Sequence, residues 1–135
     1  MSDIHEVIEY WIKEAEEELS CFSDIEKVRA IMTHVSDLGV MHWMELPEKK
    51  GAVACIVFDD FKGGLCVNEL FMFIKKEHRG NIRLFKKLVN FMENVGREND
   101  CVSVKIGSNI GYNDDSVLKC LQRFGYKTDV VTKEI

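Results

Sequence analysis

The stretch from residue 65 to residue 95 constrains this chain most, because a strand pattern passes there almost directly into a helix pattern. Apolar residues alternate from Leu65 to Ile74, as on a strand, and from Ile82 they recur at the spacing of an amphipathic helix. Only a charged turn, KKEHRG, separates the two patterns. The alternation predicts one strand face with Glu69, Phe71 and Phe73, and an opposite face with Leu70, Met72 and Ile74.

The start of this helix is a candidate anion site. The first N–H groups of a helix lack partners within the helix, and together with the helix dipole they attract negative charge. Gly80 lets the backbone approach a ligand closely, and a pyrophosphate would fit there. A solvated basic helix face after a glycine turn explains the same residues equally well. The residues that add positive charge around the turn are Arg79, Arg83, Lys86 and Lys87.

Two familiar nucleotide-binding motifs are missing from the sequence. No GxGxxG precedes this helix, and GxxxxGK[ST] occurs nowhere, so neither a Rossmann site nor a P-loop is predicted.

The remaining elements complete an α+β order, α-α-β-β-β-α-β-α-β. Helical spacing predicts a first helix from Asp3 and a second that begins at a capping box of Ser23 and Glu26 and stops at Gly39. A fourth helix is predicted to open at Asp114 and Asp115 and to end at Gly125. The other predicted strands are 40–46, 52–58, 101–106 and 126–131.

Composition excludes several classes of protein. A net charge of −5 and a pI near 5.4 argue against general nucleic-acid binding, which needs a basic face. No apolar run approaches the roughly 20 residues of a membrane span, and the acidic, amphipathic N-terminus does not resemble a signal peptide. The 135 residues suit one domain, 1–135, and we expect a cytoplasmic protein.

The cysteines and histidines do not predict a metal site or a disulfide framework. The five cysteines are widely spaced without a CxxC pair, and the histidines show no metal-ligand spacing. Four of the five cysteines lie in apolar segments, so we expect buried, reduced thiols and no bound metal.

The order of elements and three segments resemble the GNAT acetyltransferase superfamily. LFMFIKKEHRGNIRLFKKLVNFM resembles that family's fourth strand, pyrophosphate loop and following helix, and CVSVKI occupies the place of its fifth strand. DDSVLKCLQRFGYKTDVVTKEI resembles the closing helix and last strand, with Phe124, Gly125 and Tyr126 matching the usual lGF or lGY. The resemblance implies a three-layer α+β fold, in which helices flank a mixed, mostly antiparallel sheet.

The resemblance also implies acetyl-CoA as acyl donor, bound where the family's fourth and fifth strands diverge. In place of the two small residues of the family's Q/R-x-x-G-x-G/A pattern, this chain has Ile82 and Leu84. The backbone implied to bond the pantetheine arm is that of Phe71, Met72, Phe73 and Ile74. The amides implied to bond the pyrophosphate are those of Arg79, Gly80, Asn81, Ile82, Arg83 and Leu84.

Acetyl transfer to an amine needs a base for the ammonium proton and an acid, or water, for the leaving thiolate. Glu69 is the best candidate base, since some family members place a catalytic glutamate on this strand. Many family members use a tyrosine of the closing helix as the acid, but that position is Leu121 here. Tyr112 is the first candidate substitute, and Cys120 and His42 are weaker candidates for catalytic roles, since each is more often structural.

Three functions stay open at this point. The first is an acetyl-CoA-dependent N-acetyltransferase that works by direct transfer in a ternary complex with an unidentified amine. The second is a catalytically weak or inactive GNAT-fold protein that binds CoA or a protein partner, as Leu121 and the altered loop would allow. The third is an unrelated α+β interaction module. Pairing into a homodimer is a further expectation from the resemblance.

Overall fold

The computed structural model describes residues 3–20, 22–107 and 115–127, together with residues 133 and 135. In chain order, its elements are α1 (Ile4–Leu19), α2 (Ile25–Asp37), β1 (Met41–Glu45), β2 (Gly51–Asp59), β3 (Leu65–Ile74), α3 (Ile82–Glu98), β4 (Ser103–Lys105) and α4 (Asp115–Arg123). Short 3₁₀ turns at Pro47–Lys49 and Lys76–His78 follow β1 and β3. The predicted order is confirmed as far as α4, whereas most of the strand predicted over 126–131 lies outside the described residues.

The helix ends follow from short polar side chains and one glycine. The side chain of Asp3 caps α1, accepting a hydrogen bond from the His5 amide at 3.0 Å. At α2 the predicted capping box is wrong by one residue, since Asp24 and not Ser23 is the N-cap. The Asp24 carboxylate accepts from the two amides that follow Ile25, at 3.1 and 3.2 Å. Gly39 ends this helix as predicted, in a left-handed conformation with φ 74°.

The sheet lies between two layers of helices, as the resemblance implies. Its strand order is β1-β2-β3-β4, with β4 parallel to β3 and the other pairs antiparallel. On the face covered by α1 and α2, the small side chains of Ala52 and Ala54 share a core with the fully buried Trp11. On the opposite face, Val53, Val67 and Met72 of the sheet share a second core with Leu88 and Met92 of α3.

A β-bulge at Leu70 reverses the alternation of β3. Phe71 pairs with Ala54, but the next pair joins Glu69 to Cys55, so the register passes over Leu70. One extra residue inverts a period of two, and two of the predicted face assignments are therefore wrong. Glu69 shares a face with Cys55 and the α3-side core, not with Phe71. Leu70 packs in the α1-side core instead of beside Met72.

The cysteines within the described residues are unpaired thiols. Cys55 and Cys66 are fully buried, as predicted, whereas Cys101 and Cys120 are only partly buried. Cys21 lies outside the described residues. Of the helices that the structure describes, none has the length and apolar character to cross a bilayer.

Candidate active site

Strands β3 and β4 pair over a short distance. The last pair joins Asn68 to Lys105, where β4 ends, yet β3 continues as far as Ile74. Within the described ranges, no strand pairs with this side of β3 beyond Asn68. Residues 71–74, which are predicted to bond a pantetheine arm, lie in this last part of β3.

Glu69 lies at the bulge, directly after the last β3–β4 pair. Its side chain is 3% exposed and stands beside Cys55 on the α3 side of the sheet. Burial raises the pKa of the Cys55 thiol to about 12, and the neighbouring Cys101 and Glu69 add to this shift. A neutral thiol therefore borders the carboxyl group.

His42 lies in the same row of the sheet, but too far from Glu69 to act with it directly. His42 pairs with Cys55, which pairs in turn with Glu69. Because neighbouring strands are about 4.8 Å apart, the backbones of His42 and Glu69 are separated by roughly 10 Å. Cys55 stands between them, so the structure does not join His42 to the candidate base.

The turn predicted to bind pyrophosphate lies between β3 and α3, and two of its amides are bonded by the chain's own side chain. Gly80 has φ 87°, a left-handed conformation that glycine adopts freely. Asn81 is the N-cap of α3, and its Oδ1 accepts from the amides of Arg83 at 3.1 Å and Leu84 at 3.4 Å. These are two of the amides predicted to bond the cofactor. The Asn81 side chain thus holds them where an anion would otherwise bind.

The two bulky residues of the turn point in different directions. Leu84 is 8% exposed and belongs to the core below α3, so it does not crowd the helix start. Ile82 is 48% exposed, and its predicted place on the apolar face of α3 is wrong. Residues two positions apart in the sequence lie about 200° apart around a helix, so Ile82 and Leu84 cannot both face the sheet. Leu84 begins the buried stripe that continues through Leu88 and Met92.

The side chain of Arg79 turns away from the start of α3 and towards α1. Its Nε donates to the carbonyl oxygen of Ile74 at 3.1 Å, and its Nη1 lies 3.0 Å from Oε1 of Glu18. The guanidinium carbon is 5.4 Å from the ring centre of Phe73. The charge of Arg79 is therefore directed to the end of β3 and to α1, and only its backbone faces the turn.

The position of the expected acid tyrosine is part of the core. Leu121 is buried, and α4 packs there against the α3 side of the sheet. Tyr112, the candidate substitute, lies outside the described residues, while Cys120 is partly buried on α4. Tyr126 follows α4 and donates to Oε2 of Glu93 at 2.9 Å. Burial, followed by this hydrogen bond, raises the pKa of Tyr126, so its hydroxyl keeps its proton.

Two contacts of the site were missed at the level of sequence. Asparagine directly before an apolar-periodic run is a preferred N-cap, so the cap by Asn81 could have been predicted. The partner of Arg79, Glu18, lies far away in the sequence, and no local pattern points to it. Among the residues that the structure describes, no three His, Cys, Asp or Glu side chains are grouped to hold a metal ion.

Comparison with known proteins gives structural likeness alone. No protein-family sequence model matches this chain, and no curated protein matches it. A Pyrococcus furiosus protein provisionally assigned as an acetyl transferase has a TM-score of 0.73 at 18% identity, over 99% of this chain and 96% of that one. A predicted acetyltransferase of Clostridium acetobutylicum, solved with acetyl-CoA, has 0.69 at 12% identity, over 99% and 92%.

An aminoglycoside acetyltransferase from an uncultured soil metagenomic sample, solved with sisomicin, is similar to the same degree. Its TM-score is 0.70 at 15% identity, over 97% of this chain and 88% of that one. At these identities the likeness shows the fold. The chain has the GNAT acetyltransferase fold that the resemblance predicted, and the alternative of an unrelated α+β module is not retained.

Proposed function

We propose that this protein is an N-acetyltransferase that transfers an acetyl group from acetyl-CoA to an amine. One observation carries the proposal: the pairing of β3 with β4 ends at Asn68, beside a bulge, and β3 then runs on into a turn and the start of α3. In this proposal the two strands part at that point and leave a wedge for the cofactor, with Glu69 at its apex. This geometry offers an extended backbone edge for an amide-containing arm and an electropositive helix start for phosphates. The fold likeness to a structure solved with acetyl-CoA supports the choice of donor.

In this proposal the cofactor is held mainly by backbone groups. The pantetheine arm bonds the edge of residues 71–74, and the pyrophosphate lies over the turn from Arg79 to Leu84. A Cβ placed on Gly80 would have no atom within 4 Å, so the space above the turn is open. To bond the Arg83 and Leu84 amides as well, the phosphates must displace the Asn81 side chain.

Glu69 is the proposed base, since it lies at the apex of the wedge, where the thioester would end. The free amine attacks the thioester carbonyl carbon, and the C–S bond then breaks to release CoA thiolate. Before or during attack, the ammonium proton passes to Glu69. Because this carboxyl group is buried, we expect one water molecule to relay the proton. The thiolate takes a proton from solvent or from Tyr112.

The acceptor in this proposal is a cationic amine, on a small molecule or a protein. Helix α1 carries six glutamates and one lysine, which gives the α1 side of the sheet a strongly negative surface. Such a surface attracts positive charge to the molecule, although Glu69 itself lies on the other side of the sheet. The likeness to an acetyltransferase solved with sisomicin, an aminoglycoside, agrees with an acceptor of this class.

Thermal melting with acetyl-CoA tests the cofactor site. A ligand at 100 times its dissociation constant stabilises a fold by about 2.7 kcal/mol, which raises Tm by roughly 10 °C for a domain of this size. Gly80→Glu should abolish the rise, because it places bulk and negative charge over the turn. Gly80→Ala is the matched control, since it bears the same strain at φ 87° without the charge. No rise with millimolar acetyl-CoA or CoA would contradict the proposal.

A second function is favoured by two observations, the capped amides at Asn81 and the buried Leu121. Both would suit a protein that binds CoA or a protein partner without transferring the acetyl group. Release of CoA thiol from acetyl-CoA in the presence of a panel of amines separates the two functions. A melting shift without amine-dependent thiol release from any member of the panel would favour the second function.

A further inference from the structure

Arg79 contacts two parts of the molecule that are far apart in the sequence. Its Nε bonds the last carbonyl of β3, which belongs to the backbone proposed for the cofactor. Its Nη1 meets Glu18, the last residue but one of α1. The connection between α1 and α2 begins directly after this helix end. A single side chain thus joins the two regions.

The guanidinium group is suited to both contacts at once. Its donors are fixed in one plane, so a hydrogen bond from Nε to Ile74 determines where Nη1 lies. The side chains of Arg79 and Glu18 are 28% and 20% exposed, so solvent screens their ion pair less than it screens a surface pair. A lysine in place of Arg79 has one nitrogen and cannot hold both partners in this geometry.

Arg79 brings positive charge to the C-terminal end of α1. Helix α1 has no basic residue in its last turn, although the C-terminal end of a helix favours positive charge. Arg79 supplies that charge from the other side of the sheet's end. A second side-chain hydrogen bond near the end of α1 is local, from the Phe22 amide to Oε2 of Glu16 at 3.2 Å.

We propose that Arg79 is a positioning residue that couples the proposed cofactor turn to the C-terminal end of α1. Binding of acetyl-CoA orders the end of β3 and the turn, and the Arg79–Glu18 pair passes this order to the end of α1. The inference rests on the proposed function, because it takes acetyl-CoA as the ligand of the turn. It predicts that cofactor binding stabilises the end of α1.

Hydrogen exchange of the full chain, with and without saturating acetyl-CoA, tests the coupling. In the wild type, acetyl-CoA should slow exchange in the peptide of residues 75–84 and also in that of residues 16–24. In Arg79→Lys and in Glu18→Gln, the slowing should persist at 75–84 and be lost at 16–24. Calorimetry should show that each variant binds acetyl-CoA about fivefold more weakly than the wild type. This factor is the upper end of what a partly exposed ion pair contributes.

Matched controls separate coupling from a general loss of charge or stability. Glu17→Gln removes the same charge from the neighbouring residue, and Arg97→Lys makes the same change on the exposed end of α3. Both controls should behave as the wild type. If either Arg79→Lys or Glu18→Gln fails to fold, the other variant carries the test.

The outcomes distinguish this inference from the proposed function. If the wild type binds acetyl-CoA while exchange at 16–24 stays unchanged, the coupling is refuted and the function stands. If the wild type binds no acetyl-CoA, the proposed function fails, and the ligand-free proteins decide the coupling. Glu18→Gln should then speed exchange at 75–84, and Arg79→Lys should speed it at 16–24. Equal rates in wild type and variants would overturn the coupling.

Discussion

Replacing Asn81 with alanine should lower the stability of the protein and raise its affinity for acetyl-CoA. The Asn81 side chain accepts from two amides at the start of α3, at 3.1 and 3.4 Å. Loss of an asparagine N-cap costs about 1 kcal/mol of folding free energy. The longer bond contributes the smaller share, so we expect a value near 1 kcal/mol and not the upper limit of about 2 kcal/mol.

The same contacts oppose the cofactor. If the pyrophosphate bonds the Arg83 and Leu84 amides, it must first displace Asn81, and the cost of displacement is at most what the cap contributes to stability. Removing the cap should therefore tighten acetyl-CoA binding by up to about fivefold. Asn81→Asp should act in the opposite sense. A carboxylate caps the helix at least as well and adds 0.3–1 kcal/mol with the dipole, but it repels the phosphates.

Urea unfolding and calorimetric titration with acetyl-CoA measure the two effects on the same proteins. Asn90→Ala, an exposed change in the middle of α3, is the control and should leave the affinity unchanged. Unchanged or weaker binding by Asn81→Ala, together with the expected loss of stability, would show that the capped amides do not hold the pyrophosphate. The proposed location of the cofactor would then be wrong at the helix start.

Two further predictions concern the apex of the wedge. Glu69→Gln keeps the shape of the buried side chain but removes the base, so kcat should fall by about 100-fold or more while KM for acetyl-CoA changes little. Steady-state release of CoA thiol measures both constants. A fall in kcat of less than about threefold would remove Glu69 from the mechanism. The pKa of the Cys55 thiol is about 12 in the folded chain and near 9 in the unfolded chain. Above pH 9 the folded state therefore binds more protons than the unfolded state, and stability falls as pH rises. Between pH 9 and pH 10.5 this group alone should lower the free energy of unfolding by about 1.6 kcal/mol. Urea unfolding under reducing conditions should show a shallower loss in Cys55→Ala, and equal slopes would place the thiol in a more polar setting than the structure shows.

The sequence predicted the fold well where the regular spacing of apolar residues continues without interruption. The stripe of α3 repeats every three or four residues through Leu88, Met92 and Val95, and burial on one side follows from it directly. The predicted bounds of β3, Leu65 to Ile74, agree with the observed strand, since the glycine loop before it and the charged turn after it interrupt the alternation.

The parts that the sequence did not predict depend on contacts between distant segments. The bulge at Leu70 is defined by the pairing of β3 with β2. The order of apolar and polar residues in the sequence of β3 alone does not reveal it. Assigning Glu69 to the Phe71 face was therefore the natural reading and the wrong one. The Arg79–Glu18 pair depends on how α1 lies across the end of β3, which no window of local sequence contains.

The bulge and the cap of α3 together explain how this chain could keep its shape around the proposed cofactor site. The bulge places Glu69 where the β3–β4 pairing ends, so the proposed wedge and its acidic apex have one structural cause. The cap competes with the ligand, because Asn81 bonds amides that the ligand would use. It thereby stabilises the turn in the ligand-free protein. A site built in this way folds without its cofactor but binds it less tightly. The stability of α3 and the affinity for acetyl-CoA should thus be inversely related in variants of Asn81, and a variant that raised both would contradict the proposed site.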